Sequence, residues 1–218
     1  MAKQIYFMPT SLEGYIADET GNPDWATPDE EVFAFINDLY RSIGMYLYGR
    51  KIYETMAIWE TPDVIPGRTP AMMDFARIWQ AADKTVYSKS LETVPTPKTR
   101  LEREFDPQAV RELKAQLPHD VSVAGPTLAA HAIRTGLVDE YHLLVVPIML
   151  GGGKRVLPSN VCVKLDLLDE RRFANESRPR LPPAPCLAST QLFLIENETT
   201  PQCRAEGANF RIVGDSPR

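Results

Sequence analysis

Two stretches of this chain do most to limit its fold: `MYLYGRKIYE` around Gly49 and `VSVAGPTLAAHAI` around Gly125. In each, a short apolar run of strand length meets a glycine and continues at helical spacing. A strand that turns directly into a helix has to send that helix back across a sheet, so the next strand enters parallel to the first. The pattern predicts an α/β sheet with helices on its faces. In open sheets of this kind ligands bind at the carboxyl ends of the strands, where these junctions lie.

The remaining elements follow the same rhythm. Residues 4–8 read as a buried strand ended by Pro9. Thr27, Pro28 and Glu30 have the order of a capping box, so a helix is expected from there, carried by Val32, Phe35, Ile36, Leu39, Tyr40 and Ile43 and closed by Gly44. Strands are expected at 45–48, 84–87, 99–102, 121–124, 141–150 (long, apolar and central) and 163–168. Helices are expected from Gly49, over 71–81, from Asp106 and Pro107, and from Gly125 to Gly136. Residues 176–190 are rich in proline and arginine without periodicity and read as a linker or disordered segment. Residues 191–195 are strand-like, and the last twenty or so residues read as loosely structured. The expected organisation is one domain over 1–175 and an atypical tail over 176–218.

Composition excludes some function classes. Lys and Arg number 24 against 29 Asp and Glu, a net charge of −5, which argues against nucleic acid as the main partner. No apolar run approaches the roughly 18 residues of a membrane span, and the N-terminus does not read as a signal peptide. The three cysteines are far apart with no CxxC, as expected of a reduced cytoplasmic protein without a structural metal site.

The run `LGGGKR` invites a phosphate reading and fails its motifs. Ile148 stands where a Walker A loop needs glycine, and Arg155 where it needs Ser or Thr. Val156 takes the third glycine of GxGxxG. The run reads instead as a flexible connection between strands. Better anion candidates are Gly49-Arg50-Lys51 at a helix start, Ser88-Lys89 at a strand end, and Gly125-Pro126-Thr127. Three such strand ends in one α/β domain favour an extended phosphorylated ligand such as a dinucleotide.

`SLEGYIA` (11–17), `YGRKIYE` (48–54), `VYSKSL` (86–91) and above all `VAGPTLAAHAIRTGLVDEYHLLVVPIMLGGGKRVLP` (123–158) resemble one family. It is the dihydrofolate reductase-like superfamily, specifically the C-terminal reductase domain of the bifunctional riboflavin-biosynthesis deaminase/reductase and its stand-alone bacterial relatives. The resemblance covers about residues 3–175. It implies a three-layer fold, a mostly parallel central sheet with helices on both faces, in a cytoplasmic homodimeric reductase. That enzyme would pass hydride from NADPH to a pteridine- or pyrimidine-like heterocycle. By the same resemblance Gly49, Arg50 and Lys51 meet the cofactor phosphates, and Ser88 and Lys89 read the 2′-phosphate. Ala124, Gly125, Pro126, Thr127 and Leu128 lie against the pyrophosphate and nicotinamide side, and residues 11–16 form the closing loop.

Two carboxylates are candidates for the acid–base step. Glu13 stands where relatives commonly have Asp. Glu30 follows Trp25 and Pro28 at a spacing like the dihydrofolate reductase substrate motif, although the capping-box role accounts for it equally. Val123 occupies a position where the riboflavin enzymes often carry Glu, and the tail departs from the relatives' terminal strand. Within the reductase reading the order is an uncharacterised heterocycle reductase, then 5-amino-6-(5-phosphoribosylamino)uracil reductase, then dihydrofolate reductase. The rival from another class is a non-catalytic nucleotide-binding dimer.

Overall fold

The structure, a computed structural model, describes residues 2–173 and 190–197. The readings of the Pro/Arg-rich segment, of Cys186 and Cys203 and of the last residues lie outside that range. Eight strands form one sheet: β1 (Gln4–Ser11), β3 (Ile43–Gly49), β4 (Asp83–Tyr87), β5 (Thr99–Glu102), β6 (Asp120–Ala124), β7 (Glu140–Val146), β9 (Leu165–Phe173) and β10 (Thr190–Asn197). Their order is β5-β4-β3-β6-β1-β7-β10-β9. The first six in this order run parallel, and β10 is antiparallel to both β7 and β9. A two-stranded sheet, β2 (Tyr15–Ala17) with β8 (Lys154–Arg155), lies apart from it.

Period-two alternation sends the strands' side chains into two layers. Tyr6, Met8, Met45, Leu47, Val121 and Val123 face α4 (Pro107–Gln116) and α5 (Pro126–Arg134). Ile5, Tyr46, Tyr48 and Val86 face the other side, against Phe75 and Trp79 of α3 (Pro70–Ala81) and Tyr53 of α2 (Arg50–Met56). Phe7 and Leu144 continue that second layer onto α1 (Glu30–Tyr40), with Leu192 and Phe173 from the last two strands. Helices therefore cover both faces of a mostly parallel sheet.

Several boundaries differ from the sequence reading. Strand β1 is not ended by Pro9 but runs on to Ser11, pairing Pro9, Thr10 and Ser11 with Leu144, Val145 and Val146 of β7. Helix α1 starts at Glu30 because Asp29, not Thr27, caps it, accepting from the Val32 N–H at 2.9 Å. Thr27 instead turns its hydroxyl back to the Asp24 carbonyl at 2.9 Å, so there is no capping box. Gly44 does not close that helix but lies within β3, where a Cβ would fall 2.2 Å from the His119 ring. Strand β7 stops at Val146, before Pro147, and β9 starts at Leu165 and runs on to Phe173.

Candidate functional site

The carboxyl ends of β4, β3, β6 and β1 are four consecutive positions in the sheet. The junctions picked out in the sequence all fall there: Ser88-Lys89 after β4, Gly49 to Lys51 after β3, Gly125 to Leu128 after β6, and Ser11 to Glu13 after β1. Three steps between neighbouring strands make an edge of about 14 Å. That span suits an extended ligand rather than a single small ion.

At the centre of this edge two helices begin without side-chain caps. Gly49 precedes α2 and Gly125 precedes α5, and neither offers a side chain to the free N–H groups. The other three described α-helices are capped by Asp29, Thr69 and Asp106. The two open starts lie side by side: a Cβ on Gly125 would be 3.9 Å from the Gly49 nitrogen and 3.2 Å from Ile52 Cγ2. Gly125 also has φ +93, a conformation that disfavours any side chain. Unsatisfied N–H groups at adjoining helix starts form an electropositive notch that favours an anion.

The turn after β4 is braced from three directions. Ser88 is buried, and its Oγ accepts from the Ser90 N–H at 3.2 Å and the Leu91 N–H at 3.1 Å. Arg103 donates to the carbonyls of Ser88 and Leu91. Arg50 pairs with Glu54 at 2.7 Å and donates to Ser90 Oγ at 2.9 Å, tying α2 to this turn. Lys89 points into solvent, 3.7 Å from Glu104, and Lys51 is exposed on the first turn of α2. Ser90 and Arg103 were not singled out in the sequence. Ser90 sits inside the quoted `VYSKSL`, but nothing local marks Arg103, which reaches the turn from beyond β5.

Glu13 has a definite partner. Its carboxylate accepts from the Leu150 N–H at 2.5 Å and the Gly151 N–H at 3.1 Å, which fastens the loop after β1 to the glycine run. The run then packs against residues 17–19, where a Cβ on Gly153 would lie 2.0 Å from the Ala17 carbonyl oxygen. Glycine here allows two backbones to approach, beyond the flexibility read from the sequence. Glu30 is exposed on the first turn of α1. Connectivity puts that turn at the same edge, since α1 runs back between β1 and β3. Beneath the edge, burial pushes the Tyr46 and Tyr48 phenols well above their usual range, so they remain neutral hydroxyls. Tyr48 accepts from Trp79 Nε1 at 3.0 Å.

The sheet order and its open, glycine-lined edge define a dihydrofolate reductase-like fold. The chain belongs to the family of the RibD C-terminal domain, whose sequence model matches residues 2–176. It is 26% identical over 183 residues to the uncharacterized protein YyaP of Bacillus subtilis, covering 78% of this chain and 89% of that one. A crystal structure of a putative riboflavin biosynthesis protein from Shewanella sp. PV-4 superposes with TM-score 0.64 at 19% identity, over 91% of this chain and 99% of the other. Dihydrofolate reductase from Enterococcus faecalis, complexed with NADP(H), superposes with TM-score 0.56 at 9% identity, over 89% and 96%. No helix of the described residues is long and apolar enough to cross a membrane.

Proposed function

We propose that this protein is an NADPH-dependent reductase acting on a small pteridine- or pyrimidine-like heterocycle. The observation that carries the reading is the pair of adjoining uncapped helix starts at Gly49 and Gly125, on an edge long enough for a dinucleotide. The cofactor, when bound, supplies the hydride. Gly49 to Lys51 and Gly125 to Leu128 would hold its diphosphate through backbone N–H groups. Ser88 shapes the turn that presents Lys89, whose exposed ammonium would meet the 2′-phosphate that distinguishes NADPH from NADH. Glu13 holds the loop after β1 against the glycine run, so its part is to position that loop. Glu30 has an exposed carboxylate at the edge and is the group we assign to the substrate heterocycle.

Family membership and the dihydrofolate reductase likeness support an oxidoreductase. The substrate order given above is kept, because Val123, in place of the riboflavin enzymes' Glu, is fully buried in the core beneath α5. Following cofactor fluorescence while titrating NADPH and NADH tests the cofactor. Absorbance with dihydrofolate, the pyrimidine substrate and flavins tests turnover. Lys89→Ala is expected to weaken NADPH tenfold or more and NADH by less than twofold. Failure of the wild type to bind NADPH at tens of micromolar refutes the reading. Binding without oxidation across the panel would instead support the non-catalytic nucleotide-binding protein.

A further inference from the structure

The open edge is divided by charge. Arg50, Lys51 and Lys89 stand at the ends of β3 and β4, whereas the chain has no Lys, Arg or His from residue 4 to residue 40. Within that stretch seven carboxylates fall between Glu13 and Glu31. Both ends of the segment carrying them meet the edge: Ser11 closes β1 opposite Val146 of β7, and Glu30 opens α1. None of the seven makes an ion pair among the described residues. Glu13 and Asp29 are held by backbone N–H groups, while Asp24, Glu30 and Glu31 are exposed. Lys154 and Arg155 come near through β8, which pairs with β2, but they line a hollow against α5 instead. Arg68 is tied to Asp63.

The same end of the edge is apolar at its surface. Leu12, after β1, is 56% exposed, and Met149, after β7, is 73% exposed. The two loops are laced on either side of Met149: the Leu12 N–H donates to the Ile148 carbonyl at 3.1 Å, and the Leu150 N–H to the Glu13 carboxylate. A single exposed apolar side chain needs no explanation, but two on tied backbones at a binding edge form a platform.

We infer that the substrate of this site is a flat heterocycle without phosphate or carboxylate, seated on Leu12 and Met149 and facing the carboxylates of the Glu13–Glu31 segment. The inference rests on the reductase reading for where the substrate lies. Unpaired carboxylates within a Debye length repel an anionic substituent and leave an uncharged ring unaffected, so they select by exclusion. Both named alternatives carry such anions, the phosphoribosylaminouracil in its phosphate and dihydrofolate in its glutamate tail. The division also keeps the two partners apart, with phosphates drawn to the β3–β4 side and the ring to the β1–β7 side.

The test uses the full chain and pairs of probes that share a ring: riboflavin with flavin mononucleotide, and 6-methyl-7,8-dihydropterin with dihydrofolate. Fluorescence titration at low salt is expected to show the member without the anion binding at least tenfold tighter. The ratio should shrink at about 1 M salt, where screening acts over about 3 Å. Asp24→Asn/Glu31→Gln, at exposed positions, should tighten flavin mononucleotide at least threefold and leave riboflavin within twofold. Glu112→Gln/Asp166→Asn, an equal change of charge elsewhere on the surface, should leave both flavins within twofold. Met149→Gln should weaken the two flavins alike, by threefold or more. Equal or tighter binding of the anionic members, a ratio unmoved by Asp24→Asn/Glu31→Gln, or no binding of riboflavin and the dihydropterin overturns the inference. NADPH oxidation that favours the anionic members overturns it and leaves the reductase reading intact. The expected discrimination in a protein that does not bind NADPH removes the reductase reading and leaves the ring preference standing.

Discussion

Gly153→Ala probes how the glycine run builds the site. A Cβ there falls 2.0 Å from the Ala17 carbonyl oxygen and 3.0 Å from the Asp18 carbonyl carbon. Real Cβ contacts essentially never fall below 3.0 Å, so the chain has to separate by at least 1.0 Å. Both obstacles are backbone, and no rotamer change relieves them. Strand β8 must therefore draw away from β2 and take Val156 with it. That valine is 4% exposed, and its carbonyl accepts from the Tyr6 hydroxyl at 2.7 Å. Uncovering it costs about 1.5–3 kcal/mol, and each lost hydrogen bond about 1 kcal/mol net. Partial relaxation of the loop brings the expected loss to about 3 kcal/mol. Gly151→Ala is the reference, because φ is +76 there but nothing lies within 4 Å of its Cβ. Backbone strain alone costs about 1 kcal/mol. Urea denaturation of both variants measures the difference, and hydrogen exchange should show amides of β2 and β8 losing protection only in Gly153→Ala. If the two variants agree within about 0.5 kcal/mol, close packing is not what the run is for.

Three further outcomes are expected. Lys84 is fully buried, and its ammonium donates to the Trp79 and Ala82 carbonyls at 2.9 and 2.8 Å, closing the end of α3; burial lowers its pKa. Lys84→Met should cost about 2–3 kcal/mol by thermal or urea denaturation, and an unchanged midpoint would refute the role. Burial lowers the pKa of His142 against its 2.9 Å contact with Glu140; burial raises that of Glu140, but hydrogen bonds from Lys3 and His142 outweigh it and leave it lowered. Both groups bind protons less readily folded than unfolded, so their stability is full above about pH 6.5 and is lost as pH falls through the folded pKa values. His142→Gln should flatten the upper part of that decline, and an unaltered pH profile would contradict it. For the expected homodimer we propose a contact at β9, which ends the sheet among the described residues and has Leu165, Leu167 and Leu168 exposed. Leu167→Lys should convert a dimer to a monomer in sedimentation analysis, and a monomeric wild type would end that reading.

The repeating order of strand and helix was legible because burial on two faces leaves apolar runs separated by amphipathic helices. The ends were less legible. Thr27 and Asp29 are both good caps two residues apart, and sequence alone does not say which one meets a free N–H. Gly44 looks like a helix stop, and only the His119 ring, brought in from far along the chain, explains it as a strand glycine. Strand β10 was legible as a strand from residues 191–195. Its place between β7 and β9 was not, because pairing partners are set by the whole sheet.

The glycine run shows where local motif reading stops. By spacing it fails every phosphate motif, and in the structure its last glycine, Gly153, packs against the Ala17 and Asp18 backbone. Lys154 and Arg155, which follow it, meet Arg134 in a cleft because β8 pairs with β2 beside α5. That meeting depends on topology, so no contiguous pattern records it. The edge itself carried a readable signal of another kind. Two of the helices expected from the sequence begin on Thr27 and Asp106, whereas those after Gly49 and Gly125 begin on glycine, which leaves their first N–H groups open. A helix start without a capping side chain, repeated on neighbouring strands, says more about an anion than three glycines in a row. It follows that substituting Ser for Gly49 should supply the missing cap, stabilise α2 by a few tenths of a kcal/mol, and weaken nucleotide binding in the same protein. Stabilisation with binding unchanged would separate the helix start from the ligand and remove the main support for the site.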